Sequence, residues 1–204
     1  MNLSACSALN RGPETGVWYR VIQPQHWQTA LSTVQSKLIP SRFNEGPSAS
    51  PQFEILYLTE NSTVAQFEAG ALFGSPWQPA GLLISNPKQA WIIINVTVRL
   101  QNVADLTQVS QQNLLGTTAQ ELTGDWRGYQ QRNSTMSISQ PVGAAPTQEL
   151  GAALFAVTEL EGFRTVSAKV PYCSNLVVFP QKLQRGSSVI FEHPDTGQRH
   201  TISP

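Results

Sequence analysis

The sequence predicts an α+β domain, and three observations carry that prediction. Runs rich in β-branched and aromatic residues recur at 16–22, 52–59, 90–100, 162–168 and 174–179. Helical stripes at 25–38, 62–72 and 147–160 fall between some of these runs and not others, so strands and helices alternate irregularly rather than as repeated βα units. With 204 residues, the chain fits one domain with tails and is long enough for a real core.

Residues 1–15 are polar, contain Gly12 and Pro13, and read as a loose lead-in. The run 16–22, GVWYRVI, is the first strand. In 25–38, Trp27, Leu31, Val34 and Leu38 stand four, three and four apart, which predicts an amphipathic helix over one face of the sheet. Loop composition follows in Pro40-Ser-Arg-Phe-Asn-Glu-Gly-Pro47. In the strand 52–59, Phe53, Ile55 and Tyr57 share one side, while Glu54, Leu56 and Leu58 share the other.

A helix starts at Ser62, with Asn61 or Ser62 as N-cap and Thr63-x-x-Gln66 as capping box, and its stripe is Val64, Phe67, Ala71 and Leu72. Two prolines and two glycines make 74–81 a loop, with Trp77 as lid or wall. The strongest strand is 90–100, followed by a short helix in 101–113 on Val103, Leu106 and Val109. Residues 116–146, with Trp126 and Tyr129, show no lasting period. A clear helix spans 147–160, with Thr147 as candidate cap and Leu150, Ala153, Leu154, Val157 and Leu160 as its stripe. Strands 162–168 and 174–179 join through Pro171, and 189–192 reads as a last edge strand before a flexible end.

Charge narrows the function classes. Only 13% of residues are charged and the signs balance at 13 each, which is no footprint for nucleic acid or anionic lipid. Cys6 and Cys173 make no disulfide framework, and His26, His193 and His200 have no zinc-ligand spacing, so no metal is expected. The apolar run 91–98 is far too short to cross a bilayer, and the expectation is a soluble, cytoplasmic protein. The Rossmann glycines, the P-loop and the Gly-x-Ser-x-Gly elbow are all absent.

The residues that remain carry charge in unusual places. Glu68 lies on the apolar stripe of its helix, where a carboxylate is costly to bury unless paired; the alternative is a stripe-edge position with its head in water. Arg42 offers a planar fork suited to phosphate or carboxylate, with Phe43 as an apolar anchor, or is an ordinary surface arginine. Tyr57 reads first as a core tyrosine.

Arg42-Phe43-Asn44, Leu56-Tyr57-Leu58 and Ala65-Gln66-Phe67-Glu68, followed by Thr147-Gln148-Glu149-Leu150-Gly151, Gly162 to Ala168 and Asn175 to Phe179, resemble in order the motifs of the RES domain. The chain departs from that pattern at Ser41, where glycine is common, and at Phe43, where tryptophan is. The resemblance implies a small twisted, partly split β-sheet core flanked by helices, similar to the ADP-ribosyltransferase fold, over 16–186, with a lead-in at 1–15 and an extension at 187–204.

It further implies a toxin that consumes NAD⁺ as substrate by cleaving the nicotinamide–ribose bond, as glycohydrolase or phosphorylase, and that inhibits growth unless an antitoxin neutralises it. The catalytic set would be Glu68, Arg42, Tyr57 and Ser167, and NAD⁺ would be held by Arg20, Arg42, Asn44, Tyr57 and Ser167. Arg20 would grip a phosphate oxygen or else form a structural salt bridge, with Glu68 as a candidate partner. Ser167 would bond the ribose or carboxamide, or merely backbone. The implied partner is an Xre-like helix-turn-helix antitoxin, with a homodimer also allowed and neither nucleic acid nor membrane bound directly. Two alternatives stay open: a protein mono-ADP-ribosyltransferase acting on a protein acceptor, and a catalytically silent binding module.

Overall fold

The β-branched run beginning at Ile92 alternates buried and exposed residues, with Ile94, Val96, Val98 and Leu100 facing inward, as a strand with one covered face must. The computed structural model describes residues 1–71, 90–130 and 143–204. Within them the strands are β1 (Arg11–Ile22), β2 (Leu56–Thr59), β3 (Ile92–Asp105), β4 (Gly162–Val166), β5 (Ser174–Val178), β6 (Ser188–Glu192) and β7 (Arg199–Ile202). The helices are α1 (Ser62–Ala69), α2 (Val109–Leu114), α3 (Ala119–Thr123), α4 (Trp126–Gln130) and α5 (Pro146–Ala156). Among the described residues no helix is long and apolar enough to cross a membrane.

The sheet runs β1-β2-β5-β4-β3-β6-β7, and β1 also pairs with β3 along its whole length, from Arg11 opposite Ala104 to Ile22 opposite Ile92. A single pair, Tyr19 opposite Thr59, closes the ring between β1 and β2. The other edge of β3 is divided. Its middle pairs antiparallel with β6, up to Arg99 opposite Ser188, and its end pairs parallel with β4 from Val103 opposite Gly162. Here lies the expected split of the sheet. In the gap, Gln101 and Asn102 face only Pro13 across β1, a bulge that turns both their backbone N–H groups toward the Glu161 carboxylate, 2.6 and 2.8 Å away.

Two apolar layers sandwich the central strands. Leu56, Leu58, Leu176 and Val178 pack with Trp18 and the inward side of β3. Phe53, Ile55, Phe163, Val177 and Phe179 pack on the opposite side under Leu150 and Leu154 of α5, with Leu106, Leu115 and Leu122. The two sides read for residues 52–59 are the two sides found, although regular pairing is confined to the last four residues.

Several expected elements differ. Residues 3–8 form a 3-10 helix, with Cys6 and Leu9 buried, and β1 begins at Arg11 because β3 supplies a partner as far as Ala104. The stripe in 25–38 does not make an α-helix. Two short 3-10 turns, Pro24–Thr29 and Val34–Lys37, stand in its place, leaving Val34 and Leu38 57% and 65% exposed. Polar side chains break it. Thr33 donates to Glu54, and the Ser36 hydroxyl bonds the Thr33 carbonyl and accepts from the N–H of Ile55.

The helix expected across 101–113 is cut short because β4 draws β3 on to Asp105, so α2 starts at Val109. The chain after 189–192 turns back as β7. Helix α5 is capped by the Ala145 N–H bonding the Gln148 side chain, not by Thr147. Leu72 and the loop with Trp77 lie outside the described residues.

Candidate active site

Glu68 reaches its position because α1 is fixed at both ends. The Asn61 side chain accepts from the Val64 N–H at 2.9 Å, and Gly70 closes the helix in the left-handed region at φ 70°. The last turn of α1 sets Glu68 against the ends of β4 and β5. There Ser167 Oγ donates to Glu68 Oε1 at 2.7 Å and Asn175 Nδ2 donates to the same oxygen at 2.9 Å. Oε2 accepts no hydrogen bond from any described residue. Ser167 is itself held by the N–H groups of Lys169 and Val170, at 3.2 and 3.0 Å.

The Arg42 loop is clamped from three sides. Ser41 and Asn44 bridge each other through their backbones. From α5, the fully buried Gln148 donates to the carbonyl of Ser41 at 2.9 Å and that of Asn44 at 3.3 Å. The backbone of α5 approaches so closely that a Cβ on Gly151 would stand 1.9 Å from the Phe43 carbonyl oxygen, which only glycine permits. On the third side, Tyr57 Oη accepts from the Phe43 N–H at 3.2 Å and bonds the Ser41 hydroxyl at 3.0 Å.

So held, Arg42 projects Nη1 to the carbonyls of Leu122 and Gly124, tying the loop to α3 and its C-cap. Its remaining N–H edge bonds no described residue. Burial lowers the Arg42 pKa, and the nearby charge of Glu68 opposes that shift most, but no ion pair joins them within 4.0 Å among the described residues. Desolvation likewise raises the Tyr57 phenol.

Arg42, Tyr57, Glu68, Arg20 and Asn175 line one cleft of about 720 Å³, with Asp125, Trp126, Arg127, Thr165 and Lys169 on its other walls. Arg20 donates to the Ala30 carbonyl at 3.1 Å, and burial brings its pKa down to about 10, leaving it cationic at neutral pH. Its guanidinium makes no salt bridge to Glu68. Among the described residues the cleft thus holds four cationic side chains against two carboxylates, Glu68 and Asp125.

Two expected binding residues, Asn44 and Ser167, do not line the cleft. Asn44 is fully buried, donates to the carbonyls of Ser36 and Phe53 and accepts from the Gly46 N–H, so it spends its amide bracing the loop and does not line the cleft. Ser167 acts behind Glu68 rather than on the cleft wall. Sequence reasoning missed Asn175, Thr165, Lys169 and Arg127. The motif Thr147 to Gly151 did mark Gln148 and Gly151, but only as the opening of a helix. Among the described residues no three His, Cys, Asp or Glu side chains gather as metal ligands.

No curated protein matches the sequence. The fold is similar to a chain of the M. tuberculosis MbcT–MbcA toxin–antitoxin complex, with a TM-score of 0.62 at 18% identity, covering 99% of this chain and 92% of that one. A model of the RES domain matches residues 17–198, nearly the whole ring of strands and every element that carries the cleft, and by that match the chain belongs to the RES domain family.

Proposed function

We propose that this chain is a toxin that consumes NAD⁺ by cleaving the bond between nicotinamide and ribose. The observation that carries the reading is Glu68: one oxygen is held by Ser167 and Asn175, and the other accepts no hydrogen bond from any described residue, in a cleft rich in cations. When the C–N bond breaks, its electron pair leaves with nicotinamide and positive charge develops on the ribose carbon. A carboxylate fixed beside that carbon stabilises the charge without having to reorganise, and Oε2 can also orient a ribose hydroxyl or the attacking water. Water then adds at the ribose carbon and loses a proton, giving ADP-ribose.

Arg42, through its free N–H edge, and Arg20, Arg127 or Lys169 supply cations for the pyrophosphate. Tyr57 presents a ring in the same cleft while its hydroxyl holds the Arg42 loop. A neutralising partner belongs to the same reading. The similar fold comes from a toxin–antitoxin complex, and an Xre-like antitoxin that fills this cleft would silence the chain.

The test is nicotinamide release from NAD⁺ by the purified chain beside Glu68→Gln. We expect turnover by the natural chain and a loss of about 10²- to 10³-fold in the variant, with an unchanged circular dichroism spectrum. Equal rates would overturn the reading. Adenine-labelled NAD⁺ separates hydrolysis from transfer, because transfer leaves the label on protein.

A further inference from the structure

Two side-chain oxygens of the cleft-lining residues have no hydrogen-bond partner among the described residues. Thr165 in β4 and Asn175 in β5 are direct cross-strand neighbours, and both residues line the cleft. Thr165 is only 1% exposed, yet its hydroxyl bonds no described residue, and Asn175 Oδ1 is likewise buried and bonded by none of them. Leaving such a group unsatisfied forfeits its hydration without return, so folded proteins keep few of them. Two side by side in a cleft mark a place prepared for a ligand.

The orientation of Asn175 is not free. Its Nδ2 donates to Glu68 Oε1 at 2.9 Å, and turning the amide over would set its oxygen against a carboxylate oxygen. Oδ1 is therefore fixed as an acceptor. Thr165 Oγ1 carries a rotatable proton and can donate. One fixed acceptor beside one adjustable donor, both uncharged, complements a primary carboxamide, which offers an N–H and a carbonyl on one planar group. A carboxylate in the same position has no proton for Oδ1 and meets it as acceptor against acceptor.

We infer that Thr165 and Asn175 read the carboxamide of the nicotinamide ring and so select NAD⁺ over the dinucleotide that carries nicotinic acid. The inference rests on the proposed cleavage of NAD⁺ and adds a specificity role to residues of that cleft. Asn175 then serves twice: its nitrogen positions Glu68 and its oxygen positions the leaving group.

The experiment measures kcat/KM for NAD⁺ and for nicotinic acid adenine dinucleotide with the natural chain, Thr165→Val and Thr165→Ser, and records thermal unfolding of each. We expect a preference for NAD⁺ of about a hundredfold. Thr165→Val should lower kcat/KM for NAD⁺ about tenfold and that for the acid analogue much less, and Thr165→Ser should restore most of it. Because valine removes an unbonded buried hydroxyl at almost constant volume, Thr165→Val should melt no lower than the natural chain, which a purely structural role for the hydroxyl would not allow.

An equal loss on both substrates would assign the pair to the shared ribose and overturn the inference, as would no loss on either. Should the natural chain cleave neither dinucleotide, the cleavage reading fails by itself, and calorimetric titration with free nicotinamide and free nicotinate still decides the inference. Preference for nicotinamide that disappears in Thr165→Val supports it; equal binding, or none, overturns it.

Discussion

Glu68 and Glu161 are both carboxylates drawn in from the surface, and they are treated oppositely. Glu161 is 0% exposed and bonded on both oxygens: Oε2 accepts from the N–H groups of Gln101 and Asn102, and Oε1 accepts from that of Gln184 at 2.8 Å. It fills the seam where β3 passes from β6 to β4, satisfying backbone donors that no strand covers. Glu68 takes two side-chain donors on one oxygen and keeps the other for the cleft. The carboxylate that completes the fold takes backbone donors on both oxygens; the one to which we assign the chemistry is held through one oxygen only.

Matched isosteric substitutions put that contrast at risk. Glu161→Gln turns an NH₂ toward backbone donors and should cost at least about 3 kcal/mol in urea denaturation, since hydrogen bonds to a charged group are each worth about 1.5–3 kcal/mol, while turnover per folded molecule stays close to that of the natural chain. Glu68→Gln should show the reverse, with the catalytic loss given above and a stability change within about 1 kcal/mol. If Glu68→Gln proves as destabilising as Glu161→Gln, the distinction collapses.

The loop opposite Glu68 sharpens it further. Gly151→Ala forces a Cβ into the Phe43 carbonyl, and overpacking of that kind costs about 1–3 kcal/mol; we expect a lower melting temperature together with a raised KM, because the same contact positions Arg42. Arg42→Lys keeps the charge but loses the planar group whose Nη1 bonds Leu122 and Gly124 while its other N–H edge bonds no described residue, so KM for NAD⁺ should rise about tenfold with the fold retained.

Tyr57→Phe strands the Phe43 N–H and should cost about 1 kcal/mol in unfolding experiments, with a smaller effect on kcat. The smallest effect is in acid. Burial alone would raise the Glu54 pKa, but hydrogen bonds from Lys37 and Thr33 and the Lys37 charge bring it below the usual value. A carboxylate depressed in the folded state contributes stability above its unfolded pKa and loses it as pH falls through the folded value. Lys37→Met should therefore remove a small part of the stability at neutral pH and flatten the acid limb of the profile, while leaving the region below the folded Glu54 pKa almost unchanged.

Much of the site was legible because it follows local rules. Strict alternation in 52–59 separated Tyr57 from Leu56 and Leu58, and the Asn61 cap with its apolar stripe located Glu68 on a helix facing the sheet. The 25–38 stripe misled because period alone does not register that Thr33 and Ser36 bond Glu54 and Ile55 instead of continuing a helix. Asn44 misled for a related reason. An amide inside a site-like motif reads as a ligand contact, and only its three loop bonds reveal it as a brace. Asn175 and Thr165 stayed hidden as ordinary residues of two strands.

The sequence by itself determined the α+β class, the faces of its strands, the start of α1 and the presence of an arginine loop and a misplaced carboxylate, because propensity, capping and alternation act over a few residues. Only the tertiary structure decided that Ser167 and Asn175, 99 and 107 positions away, grip Glu68, and that Gln148, 107 positions from Ser41, holds the Arg42 loop. Those meetings depend on the register of β2, β5 and β4 and on how closely α5 can approach. Such register is set by the burial of whole faces, and no local pattern contains it.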